Sequence, residues 1–355
     1  MLESIKSVSS TVHFNQFGYE NLNNWIAESS YSGIFVLVDE NTHEHCLAIF
    51  LQYLKTTLPI EVIEVESGEI NKQLSTCGLV WDTLSELGAD RKALMINLGG
   101  GVITDMGGFI ASCFMRGIDF VNVPTTLLSM VDASVGGKTG VDLGTLKNQV
   151  GLIIEPVMVI IDPVYLNTLP PREMRSGLAE ILKHGLIADA AYWERLKHLE
   201  KLDASELEGL IHHSVGIKNN VVIQDIRESN LRKILNFGHT LGHAIETYFL
   251  KSEDRESLLH GEAIAAGMIM ESYLSHELLG LDAKTLDSIN ETITNYFEKV
   301  QISKEDFEQI IGLMKFDKKN LSGNVNFVLL EDIGKPAIDV TVDKSLLINA
   351  LEYYN

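Results

Sequence analysis

Cysteine is scarce in this chain, and positive charge is in deficit. The three cysteines, Cys46, Cys77 and Cys113, lie far apart with no C-x-x-C pair. An odd, dispersed set argues against a disulfide framework and predicts core thiols in a reducing compartment. Lys and Arg number 28 against 49 Asp and Glu, a formal net charge of −21. That balance argues against nucleic acid as the main partner, since phosphate-backbone binding rests on a basic surface. An anionic ligand must instead be held by a local cationic pocket against an adverse global field. Long apolar runs are missing too: the longest, Gly151 to Ile161, is broken by Glu155 and Pro156 and is too short to span a bilayer. The opening MLESIKSVSSTVHF lacks the apolar stretch of a secretory signal. A soluble, cytoplasmic protein without membrane or nucleic-acid partners is therefore expected. No repeats or low-complexity segments occur.

What is present is ordinary globular chemistry, 355 residues with 45% apolar and 22% charged. At roughly 100–200 residues per domain, this length suggests two domains. In the first half, strand-like runs alternate with helical patterns. Ile34–Val38, Glu61–Val65 and Ala93–Leu98 read as buried parallel strands, and His45–Lys55 and Asn71–Leu87 as the helices between them. That rhythm implies a parallel sheet with right-handed crossovers. Pro170–Pro171 makes a boundary, since proline drives its predecessor out of the helical region. From Arg172 to about Gly312 only helix-period segments follow, such as Ala190–Leu199 and Ala263–Leu278, before two short strands at Val325–Leu330 and Ala337–Val342. The expected fold is α/β: an N-terminal Rossmann-like parallel-sheet domain over residues 1–170, followed by a mainly α-helical metal- and substrate-binding domain over 171–355. A cleft between them is the expected ligand site.

Two glycine segments carry chemistry. Leu94–Leu98 runs straight into Gly99–Gly100–Gly101–Val102–Ile103–Thr104–Asp105. Side chains vanish where a strand ends, so backbone N–H groups can approach a phosphate at the following helix N-terminus. The spacing is not G-x-G-x-x-G, and a tight strand-to-helix turn is the structural alternative. Asp39 and Glu40 end the first strand, where acidic side chains accept ribose hydroxyls in dinucleotide sites. The second segment, Val131 to Gly140, resembles a P-loop superficially, but Asp132 stands where the first glycine of G-x-x-x-x-G-K-[ST] belongs. A nucleoside triphosphatase is rejected on that ground. Lys138, Lys147 and Asn148 remain possible anion contacts, with solvated surface charge as the alternative for each lysine.

Gly238–His239–Thr240–Leu241–Gly242–His243 sets two imidazoles four residues apart, on one helical face. By spacing alone both are candidate zinc ligands. His260 begins another apolar helix, and Glu180 stands in an apolar helix beside Lys183 and His184. A carboxylate in such a setting needs a partner or a metal. One carboxylate and two imidazoles with an open position suit a catalytic Zn²⁺. His212, His213, His43 and His45 read as surface residues.

The stretches GGGVITDMGGF, FMRGIDFVNVPTTLLSMVDASVGGKTGVDLGTLKNQVG, LPPREMRSGLAEILKHG, ESNLRKILNFGHTLGHAIE and LHGEAIAAGM together resemble the 3-dehydroquinate synthase family of sugar-phosphate cyclases, over about residues 34–335. Three departures stand out: Ile226 at a place usually acidic, Asp142 at one usually Asn, and Ser67–Gly68–Glu69 keeping part of a nucleotide-contact motif. The resemblance implies a two-domain homodimer that uses NAD and a divalent metal, most often zinc with cobalt as the alternative. It implies a lyase of the shikimate pathway to chorismate and aromatic amino acids, making 3-dehydroquinate and phosphate from 3-deoxy-D-arabino-heptulosonate 7-phosphate. The implied sequence is NAD-assisted oxidation, β-elimination, reduction, ring opening and aldol closure, without net redox.

Carried over by residue, the implied metal ligands are Glu180, His239 and His260, which makes His243 a proton-transfer group, with Glu228 as a second acid/base. Implied NAD contacts are Asp39, Glu69, Lys72, Gly100, Gly101, Val102, Asp105, Thr125, Thr126, Lys147 and Thr168. Implied substrate contacts are Asp132, Lys138, Asn148, Lys183, Lys218, Arg232, Asn236 and one of Lys318 and Lys319, with Arg116 reaching a partner subunit's substrate. Lys138, Lys183, Arg232 and Asn236 are also implied in catalysis. The rivals are cyclases acting on sedoheptulose 7-phosphate or glucose 6-phosphate, a metal-dependent polyol dehydrogenase, and a non-catalytic dinucleotide- or zinc-binding protein.

Overall fold

Two apolar segments, Gly33–Asp39 (GIFVLVD) and Ala93–Gly99 (ALMINLG), are buried along nearly their whole length, the pattern of strands covered on both faces. The computed structural model describes residues 2–144, 146–199, 204–252, 254–314 and 325–355. Its strands are β1 (Ile5–Lys6), β2 (Thr11–Phe14), β3 (Gly33–Asp39), β4 (Ile60–Val65), β5 (Ala93–Gly99), β6 (Asp119–Pro124), β7 (Lys138–Leu143), β8 (Leu146–Ile153), β9 (Met158–Ile161), β10 (Asn326–Asp332) and β11 (Lys335–Thr341). The α-helices are α1 (Asn15–Glu28), α2 (Glu40–Thr42), α3 (Ala48–Tyr53), α4 (Leu74–Glu86), α5 (Gly101–Cys113), α6 (Pro171–Ala188) and α7 (Ala190–Leu196). They continue with α8 (Ala204–Gln224), α9 (His239–Lys251), α10 (His260–Leu279), α11 (Ala283–Tyr296), α12 (Phe307–Leu313) and α13 (Lys344–Tyr354). The chain forms two compact units, Met1–Pro170 with Asp203–Arg227, and Pro171–Leu202 with Glu228–Asn355. The division is thus not a single cut, because α8 groups with the first unit.

The first unit is built on a seven-stranded sheet of order β1-β2-β9-β6-β5-β3-β4. Every pairing in it is parallel except β1 with β2. From β3 the chain steps outward to β4, then crosses back over β3 to β5 and on to β6. Strand order therefore reverses between β3 and β5, which makes their carboxyl ends the topological switch point of the sheet. Asp39 closes β3, and the Gly99–Gly101 turn follows β5, so the topology alone brings these two sequence features to one place. Returning α8 is tied in by Asn219 Nδ2, which donates to Lys6 O at 2.8 Å, and by His212, whose ring lies 4.8 Å from that of Phe14.

Several elements escaped the sequence reading. β6 carries Asn122 and β5 carries Asn97, polar residues that obscure a buried central strand; they satisfy each other by a 2.9 Å hydrogen bond from Asn97 Nδ2 to Asn122 Oδ1. Lys138, in the second glycine segment, opens the β7–β8 hairpin. The expectation of core thiols fails at one position. Cys46 and Cys77 are buried, but Cys113 is exposed, because Ala111 and Phe114 take the inward positions at the end of α5.

The second unit is arranged around α10, which packs against α6, α9, α11, α13 and β10. An apolar helix buried on all sides needs close neighbours, and small residues provide them. A Cβ added at Gly267 would lie 1.9 Å from Gly238 O, and one at Gly261 would lie 2.1 Å from Ser176 O. The backbones of α6, α9 and α10 nearly touch at these crossings. Each crossing adjoins a residue of interest: Glu180 is one turn beyond Ser176, His239 follows Gly238, and His260 precedes Gly261. Farther along, Asp306 accepts from Tyr248 Oη at 2.6 Å and from Arg255 at 2.9 and 3.0 Å, tying α9 to the start of α12.

Gly267→Ala is expected to destabilise the protein by about 3 kcal/mol, because backbone and not a flexible side chain would have to move; urea unfolding measures this, and an unchanged midpoint contradicts the crossing. Burial works to raise the Asp306 carboxyl, but hydrogen bonds from Tyr248, Arg255 and Ser303 outweigh it and hold it below the usual carboxylate value of 3.8. A depressed carboxyl stabilises the fold above its ordinary pKa, and that stabilisation fades as pH falls through the native value. The stability gap between the parent and Asp306→Asn is expected to be about 2 kcal/mol near neutrality and to shrink below about pH 4; a gap independent of pH contradicts the ionic pairing.

Candidate active site

In the first unit, the turn after β5 places Gly100 as the residue before α5. A Cβ there would come 3.0 Å from Thr126 Cγ2, and one at Gly101 would come 3.4 Å from Ala133 Cβ, so side chains at these positions would crowd the turn. Thr125 N donates to Gly99 O at 3.0 Å, and Thr126 and Ser129 hydroxyls lie 2.9 Å apart, which fixes the neighbouring loop. Val102 and Asp105 follow on the first turns of α5. Lys72 is buried, and its Nζ donates to Asp105 Oδ2 and Asn148 Oδ1, both at 2.7 Å. Glu69 lies 4.0 Å from Lys72 and 3.7 Å from Lys147. Burial works against the Lys72 ammonium, but Asp105 and Glu69 outweigh it and raise its pKa above the usual lysine value.

The structure thus gathers Glu69, Lys72, Asp105, Lys147 and Asn148 into one network, together with Asp142, whose Oδ1 accepts from Asn148 N at 2.6 Å. Other expected residues keep separate contacts. Asp39 caps α2, accepting from Thr42 N at 2.8 Å. Thr168 ends a 3₁₀ turn and donates to Tyr165 O at 3.3 Å. Arg116 is exposed on a turn with φ 73°. Lys138 is exposed at the start of β7, and Lys218 on α8 donates to the backbone oxygen of Asp132 and, at 2.7 Å, to its Oδ1.

The second unit brings its carboxylate and imidazoles together. Glu180 is fully buried on α6, and its Oε1 lies 3.5 Å from both His239 Nε2 and His260 Nε2. Its Oε2 pairs with buried Lys183, one turn along the same helix. His243 faces the same point: one ring nitrogen from each of His239, His243 and His260 falls within 4.8 Å of the others. His239 Nδ1 donates to Phe237 O at 3.1 Å, since a carbonyl only accepts, and the ring so held turns Nε2 toward Glu180. His260 Nδ1 lies 3.6 Å from Glu246 Oε2. Burial lowers the His260 pKa, but the two flanking carboxylates, Glu180 and Glu246, overcome it and push it up to about 9. The surroundings therefore favour positive charge at this point. A buried carboxylate and three imidazoles converge here, and such a donor set fits a divalent ion.

Glu228, at φ 56°, accepts from Asn236 Nδ2 at 2.6 Å, while Arg232 is buried in the 3₁₀ turn Leu231–Asn236. Lys318 and Lys319 lie outside the described residues. Glu246 was missed in the sequence. Its signal is its place seven residues after His239, on the same face of α9, but an isolated Glu in an apolar helix does not by itself point to a partner on another helix.

A sheet with a glycine turn at its switch point, and a helical unit presenting a buried carboxylate to two imidazoles, define the class: an α/β-plus-helical enzyme with a nucleotide-type turn and a metal-type donor set. Residues 62–176 match the model for the 3-dehydroquinate synthase N-terminal part and residues 177–320 the C-terminal part. The 3-dehydroquinate synthase of Parabacteroides distasonis is 39% identical over 336 residues, covering 94% of this chain and 94% of that protein. That of Leptospira interrogans is 40% identical over 354 residues, covering 98% and 95%. The chain belongs to the 3-dehydroquinate synthase family. Among solved structures, 2-epi-5-epi-valiolone synthase from Streptomyces hygroscopicus subsp. jinggangensis, with NAD⁺ and Zn²⁺ bound, is 25% identical with a TM-score of 0.85, covering 100% of this chain and 99% of that one. A probable glycerol dehydrogenase from Sinorhizobium meliloti, 16% identical with a TM-score of 0.62 over 99% and 98% of the two chains, shares the fold. Among the described residues no helix is long and apolar enough to cross a membrane.

Proposed function

We propose that this protein is a cytoplasmic, homodimeric 3-dehydroquinate synthase that binds NAD⁺ in its first unit and a divalent ion, Zn²⁺ before Co²⁺, in its second. It converts 3-deoxy-D-arabino-heptulosonate 7-phosphate to 3-dehydroquinate and phosphate. The activity rests on relatives near 40% identity across almost the whole chain. For the site, the carrying observation is the approach of Glu180 Oε1 to both His239 Nε2 and His260 Nε2 at 3.5 Å. The zinc- and NAD⁺-bound relative at 25% identity supports the choice of cofactors. When bound, NAD⁺ supplies a reversible hydride acceptor and the ion a Lewis acid for the substrate hydroxyl.

The chain's own residues do the rest. Gly100, Gly101 and Val102 offer backbone N–H groups at the start of α5 to a pyrophosphate, and Asp39 accepts from a ribose. Lys72, Asp105, Glu69 and Lys147 form a preset charged wall, with Thr125, Thr126 and Thr168 completing the cofactor contacts. Glu180, His239 and His260 hold the ion. Glu246 beside His260 Nδ1 and the Phe237 carbonyl on His239 Nδ1 orient the two rings so that each Nε2 would face the ion.

Arg232, planar and buried, grips the substrate carboxylate as a fork, with Asn236 beside it. Lys138, Lys183, Lys218, Asn148 and Asp132 position the phosphate and ring hydroxyls, and one of Lys318 and Lys319 is assigned there by the family resemblance. Arg116 reaches the substrate of the partner subunit. His243 and Glu228 move protons, Glu228 being poised by its hydrogen bond from Asn236.

The test joins two substitutions to one assay. His260→Ala is expected to lose both metal and turnover. His243→Ala is expected to keep metal and lose turnover by about 10²-fold or more. Phosphate release from the heptulosonate phosphate is expected without accumulation of NADH. Metal retained by an active His260→Ala, metal lost in His243→Ala, or stoichiometric NADH would each contradict the corresponding assignment.

A further inference from the structure

Glu271 is a charged side chain that the proposed reaction does not use. It lies on α10 with no exposed surface, between Met270 and Ser272, both equally buried. A carboxylate there is costly unless its oxygens are met by donors. Oε2 accepts from Gly238 N at 2.6 Å, and Oε1 accepts from Leu241 N at 3.1 Å. Both donors belong to the start of α9. The residue before that helix is Gly238, at φ 78°, which has no side chain to cap it. The acceptor for the first turn of α9 therefore comes from α10, and its negative charge also suits a helix N-terminus.

We infer that Glu271 is a positioning residue for the metal site: by clamping the amides on either side of His239, it fixes where that imidazole meets Glu180 and His260. The inference rests on the metal-binding reading above. Gly238 directly precedes His239, and Leu241 is two residues beyond it, so the backbone that carries the imidazole is held on both sides. The ring itself is oriented by the Phe237 carbonyl. Because α10 begins with His260 and carries Glu271 three turns later, one helix sets His260 directly and His239 through the clamp. Glu271 touches no reacting atom; it acts through His239.

The experiment uses the full chain, with Co²⁺ as the probe. In Glu271→Gln the shape is kept, but the amide oxygen serves one backbone N–H while the amide nitrogen faces the other. Co²⁺ affinity, measured by competition with a chelator, is expected to fall about tenfold or more, and the visible absorption bands of the bound Co²⁺ to shift. NAD⁺ affinity, which belongs to the first unit, is expected to stay unchanged. A Glu271→Gln protein with parental Co²⁺ affinity and parental bands overturns the inference. Should that variant not fold, hydrogen exchange on the unsubstituted protein decides: slow exchange of the Gly238 and Leu241 amides supports the clamp, and fast exchange overturns it. A parent protein that binds no Co²⁺ refutes the metal-binding reading itself, before any variant is compared.

Discussion

Backbone contact between helices is the constraint on which the second unit depends. Metal ligation needs side chains from distant parts of the sequence to meet within a few ångströms, and helices kept apart by ordinary side chains sit 8–10 Å apart, about the spacing expected of packed helices. Here Gly261 and Gly267 remove the spacers where α10 crosses α6 and α9. Glu180, His239 and His260 each lie within about a turn of such a crossing, so they converge without long reach. Short reach means few rotatable bonds to order and a donor set whose geometry is set by the fold.

The same economy governs charge. With a net charge of −21, the protein cannot attract an anionic substrate by its overall field. Lys72, Lys183, Lys218 and Arg232 are all buried. Lys72 pairs with Asp105, Lys183 with Glu180 and Lys218 with Asp132. Each pair fixes the position of its ammonium group. In the proposed reaction these cations meet phosphate and carboxylate groups already desolvated, where charge-assisted hydrogen bonds are strongest.

Much of this was legible in the sequence. The buried strands β3 and β5 showed as apolar runs, and Asp39 and Gly99–Gly101 stood at their ends, where the topology then made a switch point. The H-x-x-x-H pair and His260 were visible by spacing, and the structure brings all three rings together. Spacing could not show that Glu180, nearly sixty residues earlier in the chain, comes to 3.5 Å from the rings of His239 and His260. That information lies in helix crossings, which depend on glycines that look incidental in a linear pattern. The return of α8 to the first unit was hidden for a related reason: a helical period does not tell which core it faces. Asn122 masked the central strand β6, because its hydrogen bond from Asn97 forms only once the sheet exists.

Anomalous diffraction at the zinc edge, from crystals of the zinc-loaded protein, tests the site most directly. The expected map shows a single ion bound by Glu180, His239 and His260, with His243 near it but outside bonding distance. An ion held by His239, His243 and His260 with Glu180 left aside, or no ion among these residues, would contradict it.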